Sequence, residues 1–226
     1  MGFGANWRSI AKSFEDRFHV LVFDQRGHGR SMQPATGYAP EDYSEDLHKI
    51  LDELGWPEIF LVGHSMGGRN ALQFANDFAS RVLKLVIEDI GPSMNHVGVS
   101  FIQRIVDSVP VPFSTKREAR RYFDEDFQRD FADSANVKGL AEYLYANITE
   151  AQDKSAVWRF YEPGIRESLE QGRAFERWDE LKALSMPTLL VRGELSKDLP
   201  RVIYDQMLAC NKNIQGVEIA GAGHWV

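Results

Sequence analysis

Apolar residues along this chain fall into short β-branched runs separated by stretches with helical spacing, the pattern of a sheet threaded by helices. Residues 19–23, 59–62, 82–87, 187–191 and 217–220 each read as a strand. Residues 41–54 read as an amphipathic helix, because Tyr43, Leu47, Ile50, Leu51 and Leu54 share one stripe. Pro40 suits its first turn, and Gly55 with Pro57 ends it. Residues 66–78 repeat the helical spacing with Ala71, Leu72, Phe74, Ala75 and Phe78. From about residue 93 to 178 the pattern changes to a mostly helical block, rich in Phe, Tyr and Trp, with no convincing strand. Strands alternating with helices on both sides of such a block predict an α/β fold. Its sheet is mostly parallel with helices on both faces. The core is assigned to residues 1–92 and 179–226, and a helical lid to 93–178.

Bulk properties narrow the function classes. The 226 residues suffice for one hydrophobic core with an insertion, and a net charge of −7 argues against nucleic acid as a partner. The basic cluster Lys116, Arg117, Arg120 and Arg121 is followed at once by Asp124-Glu125-Asp126, which reads as a solvated helix face. One cysteine, Cys210, excludes an internal disulfide and a multi-cysteine metal site. No metal and no cofactor is expected. No apolar run approaches the ~18 residues of a membrane span. With no secretory signal in the sequence, a soluble intracellular protein is expected, and the sequon Asn147-Ile148-Thr149 is read as coincidental.

The chemistry concentrates at Gly63-His64-Ser65-Met66-Gly67, between a strand-like run and a helix-like one. A serine flanked by glycines in that setting matches a tight turn that lifts its hydroxyl clear of the backbone. Serine is a weak nucleophile and needs a base, which in turn needs an orienting acid. His224 stands out among six histidines, because Gly221-Ala222-Gly223-His224 follows the last strand. Three acids meet the chain order serine, acid, histidine: Asp89, Glu194 and Asp198. The turn 24–31 is glycine-rich but lacks dinucleotide-binding spacing, since position 32 is Met.

Several stretches together resemble the α/β-hydrolase superfamily, and most closely its small lidded esterase and thioesterase branch. They are Gly2-Phe3-Gly4 with Asn6-Trp7, Asp24-Gln25-Arg26-Gly27-His28-Gly29-Arg30-Ser31, the serine turn, Glu88-Asp89-Ile90-Gly91-Pro92, Trp158-Arg159-Phe160 and Gly221-Ala222-Gly223-His224-Trp225. The resemblance implies Ser65 as nucleophile, His224 as base and Asp89, in an Asp-Ile-x-Pro element, as orienting acid. The more widespread acid position carries Ser196 here, in Gly193-Glu194-Leu195-Ser196; Glu194 and Asp198 remain the alternative acids. It further implies an oxyanion hole from the backbone N–H groups of Met66 and Phe3. Phe101, Phe123, Trp158 and Phe160 are expected to wall a pocket in the lid. The family's His-Gly pair corresponds to Met1-Gly2, and its first strands and terminal helix have no counterpart, so the chain reads as truncated at both ends. The expected activity is hydrolysis of a small-molecule carboxylic ester or thioester through an acyl-enzyme. A non-catalytic ligand-binding or receptor protein, a carbon–carbon bond hydrolase and a perhydrolase are the alternatives on the same scaffold.

Overall fold

The computed structural model describes residues 1–93, 96–134 and 136–225, with side chains throughout except at 96–100. In chain order its elements are α1 (Arg8–Phe14), α2 (Pro40–Glu53), β1 (Ile59–His64), α3 (Met66–Asp77), β2 (Val82–Glu88), α4 (His96–Ser108), α5 (Lys116–Asp124), α6 (Asp126–Asp130) and α7 (Val137–Ala146). They continue with β3 (Ile148–Glu150), β4 (Ala156–Trp158), α8 (Glu162–Gln171), α9 (Trp178–Ala183), β5 (Thr188–Gly193), α10 (Arg201–Cys210) and β6 (Ile214–Ile219). They form two compact units: Met1–Gly37 with Arg104–Arg166, and Tyr38–Gln103 with Glu167–Val226. The middle of the helical block therefore clusters with the first 37 residues.

The second unit contains a four-stranded, all-parallel sheet in the order β1-β2-β5-β6. Ile87, Leu190 and Gly216 lie in register across three strands and face the helices. A Cβ on Gly68 of α3 would meet Ile87 Cγ2 at 3.4 Å, and one on Gly216 would meet Tyr204 of α10 at 2.3 Å, so helix and sheet approach closely at both glycines. Leu85, Ile87 and Leu190 are buried on this face. The opposite face carries Phe60, Val62, Leu189, Val217 and Ile219, all between 37% and 50% exposed. Helix α2 adds Tyr43, Leu47 and Leu51 to the core, with Pro40 at its first position and Asp42 Oδ2 accepting the Ala39 N–H at 2.9 Å.

The first unit is built around aromatic rings. Phe123 packs on Phe127 and Trp158, Phe127 stacks on Phe131 at 4.3 Å, and Trp158 stacks on Phe160 at 4.8 Å. The antiparallel pair β3–β4 sits beside them, with Ile148 opposite Trp158. Asp24 organises the glycine-rich turn: its carboxylate accepts the N–H groups of Gly4 at 2.7 Å and Arg30 at 2.9 Å. Gly29, at φ +57°, leaves room for that carboxylate, since a Cβ there would lie 2.0 Å from Asp24 Oδ2.

Two expectations from the sequence are corrected. Residues 19–23 form no strand, and Val20 and Val22 are exposed. A strand exists only by exchanging backbone hydrogen bonds with a neighbour, and among the described residues none pairs with this run. The block 93–178, read as strand-free, holds β3 and β4, each three residues long and too short to print a period-two signal.

Candidate active site

Strands β1 and β2 run parallel with His64 opposite Glu88, so the residues that follow, Ser65 and Asp89, leave the sheet side by side at its carboxyl end. Ser65 sits between β1 and α3 at φ 54°, ψ −121°, in the left-handed half of the map that a side chain rarely occupies. The turn is tight enough that a Cβ on Gly63 would stand 2.2 Å from the Gly67 carbonyl oxygen. Ser65 N–H donates to the Glu88 carbonyl at 2.9 Å, and Arg69 N–H donates to the Ser65 carbonyl at 3.1 Å, which locks the turn to both neighbours. Gly63→Ala is therefore expected to lower unfolding free energy by about 3 kcal/mol or more. A urea midpoint equal to that of the wild type would contradict this account of the turn.

Asp89 also has positive φ, 50°, and is fully buried. Its Oδ1 accepts the Gly193 N–H at 3.0 Å, and its Oδ2 accepts from the Ser196 hydroxyl. The same Oδ2 lies 2.8 Å from His224 Nδ1, while His224 Nε2 lies 2.9 Å from Ser65 Oγ. Ser65, His224 and Asp89 thus form one continuous hydrogen-bonded line, within the second unit. The other two acids are placed differently. Asp198 Oδ2 is 3.6 Å from His224 Nδ1, beyond a good hydrogen bond. Glu194 Oε2 accepts the Gly221 N–H at 2.7 Å and braces the turn that precedes the histidine.

Two supporting residues were not assigned from the sequence. Ser196 accepts the N–H of Asp198 at 3.1 Å while donating to Asp89, so one hydroxyl ties the acid to the loop after β5. The only signal for it was a serine at the position where the resemblance places an aspartate. His64 donates Nε2–H to the His224 carbonyl at 2.7 Å. Burial, reinforced by the neighbouring His224, lowers its pKa to about 3, so the ring is neutral at pH 7 and carries the proton this bond needs.

Beside them, Glu88 is pushed up to about 7 by partial burial and by Asp89. A folded pKa above the ordinary 4.5 of a glutamate means the protonated form is favoured by folding. Its contribution is present below pH 4.5 and is lost as pH rises through 7. Glu88→Gln should thus gain on the wild type in melting temperature between pH 5 and 7.5. A constant difference between the two across that window would disprove the assignment.

The expected oxyanion donors fall in different units. Met66 opens α3, so its N–H has no acceptor within the helix. The Phe3 N–H, in the first unit, donates to Asn6 Oδ1 at 2.7 Å. Of the expected pocket residues, Phe123, Trp158 and Phe160 are buried among other aromatic rings of the first unit, and Phe101 is half-buried in the second. Among the described residues no cluster could hold a metal ion, and no helix is long and apolar enough to cross a membrane.

A family model described as the alpha/beta hydrolase fold matches residues 2–226. The chain belongs to the α/β hydrolase family. A sn-1-specific diacylglycerol lipase of Danio rerio is 30% identical over 230 residues, covering 100% of this chain and 70% of that protein. A 2-(acetamidomethylene)succinate hydrolase of Mesorhizobium japonicum is 27% identical over 212 residues, covering 93% of this chain and 73% of the relative. Among solved structures, a marine microorganism esterase superposes with a TM-score of 0.81 at 26% identity, covering 99% of this chain and 85% of its own. These relatives are hydrolases, which supports hydrolase activity for this α/β hydrolase.

Proposed function

We propose that this α/β hydrolase cleaves a carboxylic ester or thioester through an acyl-enzyme formed on Ser65. The observation that carries the reading is the line Ser65 Oγ, His224 Nε2, His224 Nδ1, Asp89 Oδ2, with spacings of 2.9 and 2.8 Å. In this reading the Ser65 hydroxyl gives its proton to Nε2 as Oγ attacks the substrate carbonyl. Asp89 accepts Nδ1–H throughout, fixing the tautomer and stabilising the imidazolium. His224 then returns the proton to the leaving alcohol or thiol, and water repeats the sequence to release the acid. The Met66 N–H at the start of α3 is one donor to the developing oxyanion, in a position favoured by the helix dipole. Ser196 and Gly193 hold Asp89 by its two oxygens, and His64 steadies the His224 loop from behind. The names of the lipase and esterase relatives agree with an ester substrate.

One observation favours a second reading, ligand binding without turnover: the Phe3 N–H is engaged by Asn6 and is not free for an oxyanion. Labelling with a fluorophosphonate probe separates the two. Covalent labelling of folded protein at Ser65, mapped by mass spectrometry, supports the hydrolase. A folded protein that stays unlabelled supports the binder.

A further inference from the structure

Three arginines of the second unit, Arg69, Arg173 and Arg177, lie close enough for the last two to act on the first. Arg69 lies one helical turn beyond Ser65 on α3, is 8% exposed, and its side chain makes no hydrogen bond among the described residues. The charges that act on it most are two more cations, Arg173 and Arg177, with burial the larger influence; together they lower its pKa to about 9. Its guanidinium rests against Gly172, where a Cβ would stand 2.4 Å from Nη1. Arg173 has a buried Nη1 with no partner; Asp198 is the carboxylate that acts on it. Arg177 is 4% exposed and is partly satisfied: Nη1 meets Gln73 Oε1 at 2.5 Å and Glu180 Oε1 at 2.8 Å. Its Nε is nevertheless buried with no acceptor.

Two of these cations have a carboxylate nearby, and Arg69 has none. Burying a cation without a counter-charge is costly, and unpaired buried N–H groups add to the cost. Guanidinium forks match the planar oxygens of carboxylates and the faces of phosphate, and they bind both in two-point fashion. We propose that Arg69, Arg173 and Arg177 form a binding site for the carboxylate or phosphate group of a ligand. The anion supplies the charge that Arg69 lacks and the acceptors that Arg173 Nη1 and Arg177 Nε lack. It is carried either by a substrate of Ser65 or by a separate small molecule. The site itself stands independently of turnover at Ser65.

The test has two arms, each applied to wild type, Arg69→Met and Arg173→Met. Methionine keeps an apolar stem and removes the charge. In the first arm, inorganic phosphate and succinate are titrated at constant ionic strength against potassium chloride, with melting temperature as the readout. In the second, kcat/KM is compared for 4-nitrophenyl acetate and the mono-4-nitrophenyl ester of succinic acid. If the anion is part of the substrate, the wild type should prefer the succinate ester by about tenfold or more. Both variants should lose that preference and keep their acetate turnover. If it is a separate ligand, phosphate or succinate should raise the wild-type melting temperature saturably, the variants should lose the shift, and the ester ratio should stay near unity. The proposal is overturned if the wild type shows neither a saturable shift nor an ester preference, or if both survive unchanged in the variants. The wild-type result decides even where a variant does not fold. A protein that hydrolyses neither ester yet gives the anion shift loses the hydrolase reading and keeps this one.

Discussion

Ser65→Ala is expected to lower kcat by about a millionfold, to near the rate left by binding and oxyanion contacts alone. The hydroxyl is the atom placed 2.9 Å from His224 Nε2, and alanine removes it while leaving the turn's backbone in place. Alanine at φ 54° also suffers no more strain than serine does, so the variant should fold. The measurement is hydrolysis of a 4-nitrophenyl ester, paired with fluorophosphonate labelling of folded protein. A variant that keeps more than a thousandth of wild-type turnover would show that another group makes the attack.

Asp89→Asn should cost about 10⁴-fold in kcat with little change in KM. An amide at this position presents either an N–H or a carbonyl to His224 Nδ1, and it cannot stabilise an imidazolium as a carboxylate does. The contrast with the other acids is the discriminating part. Asp198 lies 3.6 Å from Nδ1 and Glu194 is bonded to Gly221, so Asp198→Asn and Glu194→Gln should each lose less than about tenfold. Near-full turnover in Asp89→Asn, with collapse in Asp198→Asn, would move the acid to the loop after β5. Asp89 is buried, so circular dichroism and a melting curve must accompany the rates to separate lost chemistry from lost fold.

Much of this was legible in the sequence, for definite physical reasons. Gly63 announces a turn where a Cβ would stand 2.2 Å from the Gly67 carbonyl oxygen, and the run 59–62 before it is apolar throughout although Phe60 and Val62 are half exposed. Gly193 carries no side chain because a Cβ there would lie 2.0 Å from the Gly223 carbonyl oxygen, and Gly221 before His224 sits at φ +69°, where glycine is favoured. The acid was harder. Chain order admits three carboxylates, and only the parallel register that sets Glu88 against His64 puts Asp89 beside Ser65. Periodicity failed where pairing, not pattern, makes a strand: residues 19–23 look like one and have no ladder, while β3 and β4 have a ladder and no pattern. Ser196 and the three arginines were invisible for a related reason. Their roles depend on who stands opposite, which local sequence does not record.

The line from Ser65 to Asp89 spans the chain in a particular way. Nucleophile and acid lie on adjacent strands, whereas His224 joins them across 159 and 135 positions. Closing loops of that length is among the slow steps of folding. In the proposed reading, a growing or refolding chain therefore brings its serine and acid together before the base joins them. On the same reading the Ser65 hydroxyl stays chemically silent until β6 has paired with β5 and brought His224 to it.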